Sequence, residues 1–277
     1  MPKKDHLKQC IKAVSFDLWE TLLLQGDGWG ERRASARCRN LAETLETLGV
    51  KVSVEKVNSA LKKTISSLLK VWDTNRDVTH LDQIRLIVKH LFEDSAAVTD
   101  EWVSSLSSAY VSGFFEAPPY LNPDAYKILQ WLKSQKMLVG LICNTGLTPG
   151  FGLQRFLEDQ GVAEYFDVMI FSDEVGVRKP DPRIFHLAAE KFKVKPCDVA
   201  HVGDNLKSDV WGAKNAGFKA VYFSCTVGRD RIAESDPTSL VCLSRKLGRL
   251  KEKDIVPDVT ITSLNMLRKV VKNGLEQ

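Results

Sequence analysis

Apolar residues are arranged in two ways along the chain, and the arrangement changes near residues 24 and 119. Outside this interval they form short, nearly continuous runs that are rich in β-branched side chains. The runs are IKAVSFD (11–17), MLVGLIC (137–143), FDVMIF (166–171), DVAHVG (198–203) and KAVYF (219–223). Such runs are typical of parallel strands that are covered by helices on both faces. They predict five buried strands, and residues 258–261 are a candidate edge strand.

Helical patterns separate these strands. Residues 122–124 (NPD) and 181–182 (DP) each place proline beside a capping side chain, which is a signal for the start of a helix. Residues 243–253 carry leucines on one face, and Ser263 is a candidate cap for a last helix. Strands alternating with helices predict an α/β protein with a doubly wound parallel sheet. Its ligand site is then expected at the carboxyl ends of the strands.

Residues 25–118 show a helical pattern throughout. Apolar side chains recur every three or four residues, so each helix buries one face. The four stripes are Leu41, Leu45 and Leu48; Val57, Leu61, Ile65, Leu68 and Trp72; Ile84, Ile87, Val88 and Leu91; and Trp102, Leu106, Tyr110 and Phe114. We predict a core domain made of residues 1–24 and 119–277, with residues 25–118 as an inserted all-helical domain.

Composition limits the function. The chain has 277 residues and a net charge of +4, which is too small to indicate a nucleic-acid partner. No apolar run is long enough to span a bilayer, so we expect no membrane association. The six cysteines include no CxxC pair, which favours reduced thiols in a cytoplasmic protein.

Polar signals follow four of the strands. They are Asp17, the run Cys143-Asn144-Thr145, Lys179, and the segment GDNLKSD at residues 203–209. Because parallel strands end at the same edge of a sheet, these signals are expected to converge. Arg178 is an alternative to Lys179, whereas His201 lies inside an apolar strand and is expected in the core.

Convergence would crowd the carboxylates of Asp17, Asp204 and Asp209 around Lys179. Like charges this close need compensation, and a hard divalent cation such as Mg²⁺ provides it. One carboxylate can then be a nucleophile, others can hold the metal, and the lysine can steady a phosphoryl group.

In this order the motifs resemble those of the haloacid dehalogenase superfamily, most of whose members are phosphatases. The resemblance covers residues 11–223, through FDLWETL, Cys143-Asn144, VRKPDP and GDNLKSD. The helical insert also stands where that family has its helical cap domain. The resemblance implies a Rossmann-like core and hydrolysis through an aspartyl-phosphate intermediate.

The same resemblance assigns roles to individual residues. It implies Asp17 as the nucleophile, assisted by Lys179. It implies Mg²⁺ held by Asp17, the backbone carbonyl of Trp19 and Asp204, with Asp209 supporting. It places Cys143, Asn144 and Thr145 against the substrate.

Three residues depart from the family pattern. Phosphatases of the family have an acid–base aspartate where Trp19 stands, and dehalogenases have tyrosine there. Glycine is usual where Glu20 stands, and serine or threonine where Cys143 stands. Loss of general acid–base help would raise the barrier by roughly 3–5 kcal/mol. We therefore expect slow turnover or a preference for good leaving groups.

The sequence favours a Mg²⁺-dependent phosphatase that acts on a small phosphorylated metabolite, as a monomer or homodimer. One alternative is a metal-free 2-haloacid dehalogenase, which the aromatic Trp19 favours and the pair Asp204 and Asp209 disfavours. The other is a binding protein with this fold and impaired catalysis, which Trp19, Glu20 and Cys143 together favour.

Overall fold

A six-stranded parallel sheet forms the centre of the protein. The structure, a computed structural model, describes residues 11–26, 28–92, 99–224 and 254–273. The strands are β1 (Ala13–Phe16), β2 (Leu23–Leu24), β3 (Tyr120–Leu121), β4 (Leu138–Cys143), β5 (Val168–Phe171), β6 (Val199–Gly203), β7 (Lys219–Phe223) and β8 (Val259–Ile261). The sheet has the order β5-β4-β1-β6-β7-β8, with every pair parallel. The five predicted buried strands and the edge strand are thereby confirmed.

Helices lie on both faces of this sheet and in a separate segment between β2 and β3. They are α1 (Trp29–Thr47), α2 (Val54–Trp72), α3 (His80–Leu91), α4 (Asp100–Glu116), α5 (Ala125–Ser134), α6 (Gly150–Asp159), α7 (Ser172–Val175), α8 (Pro182–Phe192), a π-helical turn (Leu206–Trp211), α9 (Gly212–Asn215) and α10 (Leu267–Asn273). Short 3₁₀ turns span Ala163–Tyr165, Pro196–Asp198 and Leu264–Met266. One apolar cluster packs α5, α6 and α10 on one face, and another packs α8 and α9 on the other. The predicted doubly wound α/β fold is confirmed.

Of the two helix starts that the sequence predicts from proline, one is correct and one is early. Asp181 caps α8 by accepting a hydrogen bond from the Arg183 N–H, as the sequence predicts. The α5 helix begins later than its predicted cap, because Asn122 Oδ1 accepts from the Asp124 N–H and closes a turn first. Ser263 caps the 3₁₀ turn that leads into α10. The predicted helix at 243–253 lies outside the described residues.

Helices α1 to α4 lie between β2 and β3 and share an apolar cluster of their own. Their positions match the four stripes of the sequence. Ser53, Thr79 and Thr99 cap α2, α3 and α4 by accepting a backbone hydrogen bond. Strands β2 and β3 pair antiparallel, with Leu23 opposite Leu121, so the chain enters and leaves the helical segment side by side.

The helical segment also meets the sheet segment at a second place. The loop after α2 runs beside the loop after α7, and Arg76 and Val177 form an antiparallel bridge. The Asp77 N–H donates to the Gly176 carbonyl, and the Arg178 N–H donates to the Asn75 carbonyl. Within the residues described, no helix has both the length and the apolar character needed to cross a membrane.

Candidate active site

The carboxyl ends of the central strands open into one cavity. Asp17 directly follows β1, Asn144 follows β4, and Asp204 follows β6. The cavity has a volume of about 1070 Å³ and is walled on its other side by residues of α1 and α2. Parallel strands bring these side chains together, as the sequence pattern predicts.

Three carboxylates meet at the floor of this cavity. Oxygen atoms of Asp17, Asp204 and Asp209 all lie within 4.8 Å of one another, and all three residues are buried. The ammonium of Lys179 lies 2.6 Å from Asp17 Oδ1 and 2.7 Å from Asp209 Oδ1. One buried cation therefore faces three buried carboxylates.

The pKa values of Asp17, Asp209 and Lys179 are shifted in different directions. Burial raises the pKa of Asp17 to about 7, although the Lys179 ammonium acts to lower it. Burial opposes ionisation of Asp209 too, but Lys179 and His201 outweigh it and hold the pKa of Asp209 below its usual value. Burial also disfavours the Lys179 cation, but the two carboxylates raise its pKa above the usual range. Of Asp17 and Asp209, Asp17 is thus the one that binds a proton more readily.

Asp209 is held in place by two groups for which the sequence predicted no role in the site. His201 Nε2 lies 3.3 Å from Asp209 Oδ1, and the Asn205 N–H donates to Oδ2 at 2.9 Å. His201 is buried, as expected, and its Nδ1 contacts Ser15 Oγ. At Gly203 an added Cβ would lie 2.3 Å from Asp209 Cγ, so only glycine fits there. The only indication of this contact in the sequence was that a glycine, Gly203, ends the apolar run of β6.

Lys179, and not Arg178, faces the carboxylates. Asn144 fixes the lysine backbone with two hydrogen bonds, because its Nδ2 donates to the Lys179 carbonyl and its Oδ1 accepts from the Lys179 N–H. Arg178 turns the other way and pairs with Asp77 of the helical segment. Asn144 therefore positions the lysine, a role that its motif alone did not reveal.

The run Cys143-Asn144-Thr145 divides between the core and the cavity. Cys143 is fully buried in the core, and burial raises the pKa of its thiol well above the usual value. Its side chain does not line the cavity, whereas Asn144 and Thr145 do. The Thr145 N–H donates to Ser172 Oγ at 3.0 Å. Of the three expected substrate contacts, only Asn144 and Thr145 reach the cavity.

Trp19 and Glu20 form the turn above Asp17. The Trp19 ring lines the cavity and packs edge-on against Phe114. Glu20 has a φ of 57°, in the left-handed region that glycine adopts without strain. Its carboxylate accepts a hydrogen bond from Gln25. The structure thus gives the physical reason why glycine suits this position.

The carboxylate cluster fits a divalent cation. Its donors are hard carboxylate oxygens, the type that Mg²⁺ prefers. Both oxygens of Asp209 already have partners in Lys179, His201 and the Asn205 N–H. These three groups already hold Asp209, which fits a supporting role for it beside Asp17 and Asp204, the ligands expected from the sequence.

Comparisons with known proteins agree with this geometry. The sequence model of a family described as haloacid dehalogenase-like hydrolase matches residues 11–217. A protein named glyceraldehyde 3-phosphate phosphatase, from Pyrococcus furiosus, is 31% identical over 77% of this chain and 80% of its own length.

Two solved structures share the fold. A 2-haloacid dehalogenase from Pseudomonas syringae pv. Tomato DC3000 has a TM-score of 0.65 at 24% identity, covering 95% of this chain and 99% of that one. A HAD phosphatase from Thermococcus onnurineus has a TM-score of 0.55 at 23% identity, covering 94% and 97%. Both chemistries occur on this fold, so the fold alone does not choose between them.

Proposed function

The chain belongs to the haloacid dehalogenase-like hydrolases, and we propose that it is a Mg²⁺-dependent phosphatase of small phosphorylated metabolites. The observation that carries the proposal is the cluster of three buried carboxylates around one lysine. A negatively charged 2-haloacid would be repelled there, whereas a metal-bound phosphoryl group would not. The phosphatase name of the Pyrococcus furiosus relative supports the same choice.

Asp17 acts as the nucleophile in this proposal. One carboxylate oxygen attacks phosphorus, the oxygen–phosphorus bond to Asp17 forms, and the bond to the leaving oxygen breaks. Water then attacks the phospho-aspartate and releases inorganic phosphate, which regenerates the Asp17 carboxylate. Lys179 lies 2.6 Å from Asp17 Oδ1 and balances the negative charge that gathers around the transferring group.

Mg²⁺ would be held by Asp17 and Asp204, with the Trp19 backbone carbonyl as a third protein ligand and Asp209 supporting. When bound, the cation neutralises charge on the phosphoryl oxygens. Asn144 keeps Lys179 in register, and Asp209 fixes its ammonium from the other side. Thr145 lines the cavity beside them, and in this proposal it contacts the phosphoryl group.

Trp19 leaves the proposed reaction without a general acid–base group at its position. An indole ring offers no carboxylic acid to protonate the leaving oxygen, and it cannot activate water for the second step. The enzyme should therefore depend on the quality of the leaving group. Glu20 points its carboxylate to Gln25, which does not favour it as a replacement acid.

Residues 25–118 act as a cap in this proposal. Their helices α1 and α2 wall the cavity above Asp17, and its volume of about 1070 Å³ suits a metabolite rather than a macromolecule. Substrate choice would then come from the side chains that these helices present.

Phosphate release from p-nitrophenyl phosphate tests the proposal. We expect activity with Mg²⁺, none with EDTA, and less than about one per cent of it in Asp17→Asn. Asp159→Asn, on the exposed end of α6, is the matched control and should keep full activity. Halide release from 2-chloropropionate without metal would instead support the dehalogenase, and inactivity in both assays would support a binding protein.

Calorimetry addresses the metal separately. Asp204→Ala should lower the affinity for Mg²⁺ at least about tenfold, because it removes a proposed ligand. Unchanged affinity in this variant would contradict the ligand set, whatever the activity.

A further inference from the structure

The loop that follows β4 is held in shape by the helical segment. We refer to residues 144–148 as the β4 loop; it carries Asn144 and Thr145, which line the cavity. Within the loop, the Thr148 N–H donates to the Thr145 carbonyl over 3.4 Å, which is a long hydrogen bond. Because the loop is weakly bonded to itself, its conformation depends on the groups that surround it.

Helix α3 binds the middle of the β4 loop. Gln83 Nε2 donates to the Gly146 carbonyl at 3.0 Å, and Gln83 Oε1 accepts from the Tyr110 hydroxyl at 2.7 Å. Gln83 is 2% exposed, so both ends of its amide are used in the interior of the protein. A buried amide that is paired at both ends has a fixed orientation. Gln83 therefore sets the position of Gly146.

The next residue of the loop is attached to the helical segment as well. The Leu147 side chain belongs to the apolar cluster of α1 to α4. Its carbonyl accepts from Arg37 Nη2 at 3.1 Å, and Arg37 Nε donates to the Tyr110 carbonyl. The β4 loop thus inserts one of its side chains into the core of the helical segment.

Thr145 is connected to the helical segment through Ser172. The Ser172 hydroxyl donates to Asp77 Oδ2, so its lone pairs remain to accept from the Thr145 N–H at 3.0 Å. Asp77 also pairs with Arg178, the residue before Lys179. One carboxylate of the helical segment therefore orients the hydroxyl that binds Thr145 and holds the neighbour of the lysine.

These connecting side chains lie behind the cavity. None of the described residues that line it is Asp77, Gln83 or Ser172. They do not face a substrate, so an effect of theirs on the reaction must pass through the β4 loop. Such an effect can be large, because a misplacement of about 1 Å in a site can cost roughly 10²-fold in rate.

We propose that Gln83 and Asp77 are positioning residues for the site of the transferred phosphoryl group. Gln83 acts through Gly146 and Asp77 acts through Ser172. Together they keep the β4 loop in the conformation that presents Thr145 to the phosphoryl group. The helical segment then contributes to turnover of every substrate, in addition to walling the cavity. This inference rests on the proposed phosphatase function.

Gln83→Met tests the inference. Methionine fills nearly the same space but cannot donate to the Gly146 carbonyl. We expect kcat/KM to fall at least about tenfold, and by the same factor for p-nitrophenyl phosphate and the larger 4-methylumbelliferyl phosphate, because both esters share the phosphoryl group. The affinity of the Mg²⁺-loaded protein for inorganic phosphate, measured by calorimetry, should fall as well.

Two further variants keep the result interpretable. Tyr110→Phe removes the other hydrogen bond of Gln83 but leaves its donation to Gly146, so its kcat/KM should stay within about twofold of wild type. Leu147→Ala weakens the same attachment from the side of the loop and should show the same loss for both esters. It decides the matter if Gln83→Met does not fold by circular dichroism.

Several results would overturn the inference. One is a kcat/KM within about twofold of wild type in folded Gln83→Met, or in Leu147→Ala where that variant decides. Another is a loss confined to one ester with unchanged affinity for phosphate, which would mean contact with the rest of the substrate. A third is an equal loss in Tyr110→Phe, which would mean general damage to the helical segment. Failure of the proposed function would instead appear as a wild type that releases no phosphate from any ester.

Discussion

Arg178, in the loop after α7, binds Asp77, in the loop after α2, through a buried ion pair. Arg178 Nη1 lies 2.5 Å from Asp77 Oδ2, and the guanidinium also lies over the Trp72 ring at 4.4 Å. Asp77 Oδ1 accepts from Trp72 Nε1, and Oδ2 accepts from Ser172 Oγ. The contact therefore joins the helical segment to the sheet segment at a second place, in addition to β2 and β3.

Asp77→Asn should destabilise the protein strongly. Removing one partner of a buried pair leaves the other charge uncompensated, at a cost of about 3–5 kcal/mol. Urea unfolding at neutral pH measures the change. Asp82→Asn, which breaks an exposed pair with Arg85, is the control and should cost less than about 1 kcal/mol. Similar losses in both variants would show that burial adds nothing to the Asp77 contact.

Gly203→Ala should impair catalysis through Asp209. The new methyl group would lie 2.3 Å from Asp209 Cγ, so the carboxylate must move and its contact with Lys179 must change. We expect a loss of at least about tenfold in kcat and about 1–3 kcal/mol in stability. Gly161→Ala is the control, because its added carbon meets no atom within 4 Å. That variant should lose stability through its positive φ and keep its activity.

Asp173 should make stability depend on pH. Burial raises its pKa to about 6, with Asp77 and Glu174 adding to the effect and the Gly150 N–H opposing it. The folded protein then binds this proton more tightly than the unfolded chain does. The contribution is complete below pH 3.8, falls as the pH rises to about 6, and amounts to at most about 3 kcal/mol.

Asp173→Asn tests this dependence. The amide is neutral at every pH, so the variant should gain stability relative to wild type as the pH rises from 4 to 6, with a constant difference above 7. Urea unfolding at each pH gives the difference directly. Asp159→Asn, at an exposed position, should show no such trend. A constant difference between Asp173→Asn and wild type would contradict the raised pKa.

Trp19→Asp should restore a proton donor beside Asp17. Alkyl phosphates release a basic alkoxide and p-nitrophenyl phosphate does not, so we expect a gain of about tenfold on alkyl esters and little on the aryl ester. Burst kinetics should be used, because hydrolysis of the intermediate can mask the first step. The gain should disappear at alkaline pH, where the new acid is ionised.

Trp19→Asn is the matched control for that variant. It loses the indole ring and its contact with Arg33 in the same way, but it has no proton to give. If Trp19→Asn gains as much as Trp19→Asp, or if both ester classes change equally, another residue supplies the proton.

The sheet and its carboxylates could be predicted from the sequence because each depends on a short local pattern. Each buried strand is a short apolar run, and the residue after it lies at the ligand edge by the geometry of parallel strands. Asp17 and Asp204 directly follow strands, and they meet as expected. Two-residue strands such as β2 and β3 are too short to show any pattern.

The residues that form the wall of the cavity could not be predicted from the sequence in the same way. Residues 29–40 (WGERRASARCRN) contain several arginines, which usually indicate a solvated helix face. Only the packing of α1 against α4 shows that Arg33 and Arg37 are buried while Arg39 is exposed. Neighbouring Arg178 and Lys179 likewise differ only through distant partners, Asp77 for one and Asp17 for the other.

The antiparallel pairing of β2 with β3 determines how the sheet accommodates the long helical segment between these two strands. Because Leu23 lies opposite Leu121, the helical segment begins and ends at adjacent points. The strands β1 and β4 on either side of it still pair in parallel. The entropy of closing such a loop grows only with the logarithm of its length. To the sheet, the helical segment is joined like the loop of a hairpin, so its length can change without altering the strand register, provided that the contact between Asp77 and Arg178 is kept.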